Sequence, residues 1–258
     1  MLKSLSCKLS GFERLRHYFV ASTLFIGVQL ASPNTYAFTL NDFTAHFTVQ
    51  VASFNIGQGT HTFKCVEQNC TLKSYAKPSG FIRNFFKDEL YETTELTQTD
   101  SQLLWQSYQR KDVRYKGSKV SERVKTLEKT DQAIIYTEKQ QSFPLNHSAF
   151  DQMSIAYVIQ WLRLNNAPRD KFNKLILQTE KGQFPINFTE FGQATTLGLA
   201  FANSTLKAEK FVLQTDKINV ELWCLAEYDW FPAKIKIYNK DKDRTITLEL
   251  AKAPRLEY

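Results

Sequence analysis

Phe43-Thr-Ala-His-Phe-Thr-Val-Gln-Val51 alternates apolar and polar side chains almost without exception. A period of two sends successive side chains to opposite faces of a strand, so the stretch reads as a half-buried β-strand with Phe43, Ala45, Phe47, Val49 and Val51 on the inner face. Asn55-Ile-Gly57-Gln-Gly59 comes next, and its glycines predict a turn into a second strand over Thr60–Val66, which completes a first hairpin.

The pattern repeats outward from that hairpin. Beyond Pro78-Ser-Gly80 a short helix-like Phe81–Phe86 precedes strand-like stretches at about 88–98, 102–113 and 120–138, with Gly117-Ser118 as a turn. One long helix is predicted to begin at Ser148, where the hydroxyl can cap and Asp151 falls in the first turn. It carries one apolar stripe of Phe150, Met153, Tyr157, Trp161 and Leu164 and a second of Ile155, Ile159 and Leu162. A helix apolar on two sides is packed on two sides. Asn165-Asn166 and Pro168 end it, and strands are expected at 172–179, 182–189, 193–201, 206–214, 217–225, 232–239 and 244–251. Many consecutive strands interrupted by a single helix predict a mainly β, antiparallel fold with the helix over one face, and argue against repeated βαβ units. No proline- or serine-rich linker and no repeat divides residues 38–258, which read as one domain.

Composition agrees. The 258 residues are 43% hydrophobic and 23% charged, too apolar for a disordered tail, and 20 Phe and 11 Tyr against 9 Gly and 2 Met favour pleated structure. The N-terminus is different in kind. Lys3, Lys8, Arg14 and Arg16 precede an apolar run from Tyr18 to Ala31, then Pro33 and Thr35-Tyr-Ala37, the layout of a secretory signal cleaved after Ala37. The run is shorter than the roughly 20 apolar residues that span a bilayer, so no transmembrane segment is expected after cleavage. Of 33 Lys and Arg, those four leave with the leader, as does Glu13 of 26 acids, and the surplus of +7 falls to +4. So small an excess excludes a nucleic-acid footprint, which needs clustered cations.

Export permits disulfides. Cys65-Val-Glu-Gln-Asn-Cys70 sits between two strand-like runs, so the two sulfurs can meet across a hairpin end, with Gln68-Asn69 as turn residues. A zinc site would need further ligands, and only His46 and His61 lie nearby, so neither metal nor cofactor is expected. Cys224 falls on an apolar strand face as a small buried hydrophobe.

Catalytic signatures are scarce. There is no Gly-x-Ser-x-Gly elbow, phosphate loop or His-Glu-x-x-His. Glu227 and Asp229 lie among Trp223, Tyr228 and Trp230 and form the best carboxylate pair, with a polar hairpin turn as the plainer reading. Eight cations between Arg110 and Lys129 alternate with Asp112, Glu122 and Glu128, as on the solvated face of a hairpin; contact with anionic lipid headgroups is the alternative.

Taken in order, Phe38–Val49, Gly57-Gln-Gly59, Phe150-Asp-Gln-Met-Ser154, Leu222-Trp-Cys-Leu-Ala226 and Phe231-Pro-Ala-Lys-Ile-Lys-Ile237 resemble the bacterial domain of unknown function 3108 family across nearly all of residues 38–258. The most specific part is Trp223, Ala226, Pro232 and Ile235. Glu227-Tyr-Asp229 before the proline, and Cys224 inside the block, depart from the usual pattern. The resemblance implies a Gram-negative periplasmic or envelope protein whose curled antiparallel sheet, an open or half barrel, holds one central helix on its concave face, similar to the outer-membrane lipoprotein carriers. It carries over no catalytic residues.

Two functions remain open. One is a monomeric, non-enzymatic protein that binds a lipid or acyl chain or docks an envelope partner, with Tyr157, Trp161 and Trp223 as candidate ligand contacts. The other is a hydrolase of envelope glycan or lipid using Glu227, Asp229 or His147.

Overall fold

β1 (Asp42–Val51) buries Phe43, Ala45 and Phe47, as its alternation requires. In the computed structural model, which describes residues 38–257, the chain then reverses at Ala52-Ser53 rather than at the glycines. Their φ angles of 47° and 69° give the two left-handed positions of a tight hairpin whose twist matches its strands. β2 (Phe54–Val66) therefore already contains Gly57 and Gly59. At Gly57 a Cβ would come within 2.5 Å of the Lys77 carbonyl oxygen, so glycine serves close strand approach, not the turn. The leader expected over residues 1–37 lies outside the described residues.

β3 (Asn69–Pro78) follows a two-residue turn at Glu67-Gln68, one position earlier than predicted. A 3-10 turn over Gly80–Asn84 leads to β4 (Glu89–Gln98), β5 (Leu103–Lys116), β6 (Lys119–Lys129), β7 (Ala133–Tyr136) and β8 (Gln141–Pro144). Then come β9 (Ala149–Phe150), α1 (Ile155–Leu164), α2 (Arg169–Asn173), β10 (Ile176–Thr179) and β11 (Gly182–Pro185). The C-terminal run is β12 (Asn187–Leu197), β13 (Leu206–Gln214), β14 (Ile218–Leu225), β15 (Phe231–Asn239), β16 (Arg244–Leu250) and β17 (Arg255–Glu257). The main sheet runs β12-β13-β14-β15-β16-β1-β2-β3-β4-β5-β6-β7-β8, with β17 also on β1. It is antiparallel and not closed into a barrel, as expected.

Three expectations are corrected. β9, β10 and β11 form a separate small sheet in which Ala149 and Phe150 pair parallel with Ile176 and Leu177, because the intervening helical segment returns the chain in the same direction. The strand expected from residue 172 starts at Ile176, after α2, whose Phe172 is buried among Phe188, Phe191 and Phe211. The long helix starts at Ile155, not Ser148.

Asp151 explains that late start. Its buried carboxylate accepts the backbone N–H of Met153 (2.7 Å) and Ser154 (3.0 Å), the Ser154 hydroxyl (2.8 Å), the Thr94 hydroxyl (2.8 Å) and the Trp105 indole N–H (2.9 Å). Burial raises its pKa, and the Ser154, Thr94 and Met153 donors oppose the rise. The residue holds a turn against β4 and β5 and only then releases the chain into the helix. From Ile155 through Leu162 every side chain of α1 is buried, so the helix is enclosed rather than laid on a surface.

Candidate functional site

Facing α1 along the concave side of the sheet is a groove of about 460 Å³. Its walls are aliphatic: Val220, Leu222, Ile235, Ile237, Ile246 and Leu248 from β14 to β16, and Met153, Ile155, Ala156 and Ile159 from the helical segment. Strand alternation places these residues together. Along Val220-Glu221-Leu222-Trp223 of β14 each inward side chain is followed by an outward polar or amphipathic one. On the other side the wall is Val49, Gly59, Ala76 and Leu90, where the small residues leave space instead of filling it. A Cβ on Gly59 would meet nothing closer than the Val49 side chain at 3.6 Å, so this glycine is an opening in the lining. Size and apolar character both fall in the range of small-molecule sites.

A few polar groups reach the groove. The His61 ring, 5% exposed, shares a 2.7 Å hydrogen bond with the Tyr157 hydroxyl, and burial pulls its pKa down from 6.5 to about 4, so the ring is neutral near pH 7. At one rim Glu92 accepts the Tyr108 hydroxyl and the Gln152 amide (2.9 Å), while Arg110 clasps Asp112 through two nitrogens, at 2.8 and 3.1 Å. These charged groups already have partners within the protein. Burial, then the Glu92 charge, raises the Tyr108 pKa well above its usual value and keeps the phenol protonated. Lys242 and Arg244, on the β15–β16 hairpin, are exposed lining residues.

The three residues expected to contact a ligand sit elsewhere. Tyr157 is fully buried, stacked on Phe43 at 5.0 Å and edge-on to Phe231 at 5.9 Å. Trp161 is one helical turn further on the same stripe and belongs to the same core. The groove takes the other stripe, Ile155 and Ile159, roughly opposite around the helix at about 100° per residue. Trp223 points to the outer face, its ring between the Lys210 and Lys234 ammonium groups at 5.4 and 5.8 Å. A register shift beside it lets Pro232 enter at the start of β15, opposite Cys224.

The hydrolase candidates are not gathered in the groove. Glu227 is exposed in a 3-10 turn over Ala226–Tyr228, Asp229 follows in the left-handed region, and His147 is exposed in the loop before β9. Among the described residues no group of three His, Cys, Asp or Glu is placed to hold a metal ion, and no helix is long and apolar enough to cross a membrane. Cys65 and Cys70 face each other across β2 and β3 and are joined in a disulfide, while Cys224 is free and buried. A larger depression of about 720 Å³ opens beside that disulfide, around Asp42, Glu67, Gln68 and Gln98. It is wide and mostly polar, so water fills it as readily as a ligand would; the groove offers the enclosure and apolar walls that reward binding.

Of the groove-lining residues, Gly59 reads in the sequence as a turn glycine and Arg110 as one of the cations on a solvated hairpin face, and Glu92 is not singled out there. For Gly59 a signal exists: it stands in phase with the inward residues His61 and Phe63, where a side chain is expected and none is present.

No family model matches the chain, and no curated protein matches it. Among solved structures, a candidate lipoprotein from Parabacteroides distasonis ATCC 8503 is similar to 84% of this chain and 97% of its own, at 8% identity and a TM-score of 0.28. The resemblance to the domain 3108 family therefore rests on the residues quoted for it.

Proposed function

We propose that this is an exported envelope protein that binds, without transforming, an apolar ligand such as a lipid or acyl chain in the groove between α1 and the sheet. The observation that carries the reading is the 460 Å³ space itself, walled by aliphatic side chains in a molecule otherwise packed tightly around an enclosed helix. Each methylene transferred from water contributes about 0.8 kcal/mol, so a chain of about ten methylenes offsets a typical cost of association. The His61 ring and the Ser74 hydroxyl give the apolar wall two polar points for a carbonyl or ester. Glu92 and Arg110 at the groove are held by partners, which favours retention over acid–base chemistry.

Native mass spectrometry of protein purified from the cells that make it tests the reading. The expected result is a co-purifying lipid that is lost in Gly59→Leu, whose Cβ would meet no neighbour closer than the Val49 side chain at 3.6 Å. An empty wild-type protein that also takes up no fatty acid in titration refutes it.

A further inference from the structure

Along one end of the main sheet lie the β1–β2 turn, the loop from β3 to β4, the β5–β6 hairpin and the β15–β16 hairpin. Contacts link them. Ala52 N–H donates to the Thr245 carbonyl (3.3 Å), Ser79 N–H to the Ile56 carbonyl (3.2 Å), and Tyr115 N–H to the Asp88 carboxylate (3.2 Å). This continuous rim carries four phenylalanines that the core does not use: Phe54 is 74% exposed, Phe81 73%, Phe85 65% and Phe86 62%. Phe81 and Phe85 touch edge to face at 5.0 Å, so they form a ridge and not isolated exposures. Single exposed apolar residues need no explanation, but a clustered aromatic set on adjoining loops marks a contact surface.

Charge identifies the occupant. Lys77, Arg83 and Lys87 flank the phenylalanines, and Arg114, Lys116 and Lys119 stand on the next hairpin. The neighbouring acids are engaged within the protein, Asp88 by the Tyr115 N–H and Glu89 by the hydroxyls of Tyr75 (3.0 Å) and Tyr91 (2.7 Å). Aromatic rings that insert at the headgroup level, ringed by cations, match an anionic bilayer surface, apolar below and negative above. The groove reaches the same rim through Lys242 and Arg244.

We infer that this rim docks the protein on an anionic lipid membrane, with Phe54, Phe81, Phe85 and Phe86 entering the interface and the flanking cations meeting phosphate headgroups. Docked this way, the groove opens toward the bilayer. The inference stands on the rim alone and does not require the groove to hold a ligand.

Co-sedimentation with vesicles of phosphatidylglycerol and phosphatidylethanolamine, against vesicles of phosphatidylcholine alone, tests it on protein from its own cells. Binding to the anionic vesicles is expected, weakening as ionic strength rises from about 0.01 M to about 1 M and the screening length shrinks from about 30 Å to about 3 Å. The triple variant F81S/F85S/F86S should bind at least about tenfold more weakly, and K77E/R83E/K87E should lose the preference for anionic vesicles. Both sets of positions are exposed, so thermal midpoints and fatty-acid uptake should match wild type, which separates failure of docking from failure of groove binding. Absence of sedimentation, or sedimentation untouched by the phenylalanine variants, overturns the inference. A concentration-dependent dimer abolished by those same variants also overturns it and assigns the rim to a second copy of the chain.

Discussion

His61 is a histidine held where a charge is unwelcome. Burial drops its pKa to about 4 from 6.5, so the folded state prefers the neutral ring. Above pH 6.5 both folded and unfolded chains carry it neutral, and the fold suffers no penalty. As pH falls below 6.5 the unfolded chain takes up the proton and the folded one resists, so stability declines until about pH 4, by about 3 kcal/mol at 1.36 kcal/mol per pH unit. Urea denaturation at several pH values should show this loss in wild type, and in His61→Gln the part between pH 6.5 and 4 should be largely absent. Equal slopes in the two proteins would show that the ring is not the source. Gly59 acts at the same scale by absence: a side chain missing from an inward position leaves space in the groove wall.

At the scale of elements, α1 divides its two stripes between different tasks. Tyr157 and Trp161 go into solid packing, so Trp161→Ala should cost about 3 to 5 kcal/mol in denaturant melts while leaving fatty-acid affinity per folded molecule nearly unchanged. A variant of wild-type stability with altered uptake would reverse the assignment of the stripes. The β2–β3 hairpin is pinned by Cys65 and Cys70 directly opposite one another. Closing so short a loop removes about 2 kcal/mol of disorder from the unfolded chain. Thiol labelling in denaturant without reductant should reach Cys224 and neither of the pair, and the Cys65→Ser/Cys70→Ser double variant should unfold about 2 kcal/mol more readily. The outer face needs less defence, because its pairs, such as Lys234 with Glu249 at 2.7 Å, lie near water and contribute little individually.

For the molecule as a whole, period-two alternation was enough to read a mainly antiparallel β protein with one principal helix, because strands such as β1 and β14 have a core face and a wetter face. The turns were harder. Ala52-Ser53 carries no glycine or asparagine, so nothing local marks it, and the glycines that looked like a turn serve strand approach and groove volume instead. The helix start was misplaced because Asp151 looks like a first-turn residue but spends its carboxylate on Trp105 and Thr94, partners some fifty residues away in sequence. The groove was not legible at all, since it is defined by what α1 leaves unfilled across strands from both halves of the chain. Those halves meet along β1, which pairs with β16 and, at its other end, with β17. β1, the first strand, lies in the middle of the sheet, and its register with β16 joins Phe47 to Leu250. The other neighbours in the order from β12 to β8 are consecutive strands, quick to pair, whereas β1 must wait for partners about two hundred residues downstream. Until the last strands emerge, the two meanders β1–β8 and β12–β16 can each zip up but the inner edges stay bare, and bare edges recruit other chains. The moment of greatest danger for this protein thus falls late in its making, and any premature stop after β15 would leave β1 as a ready template for aggregation.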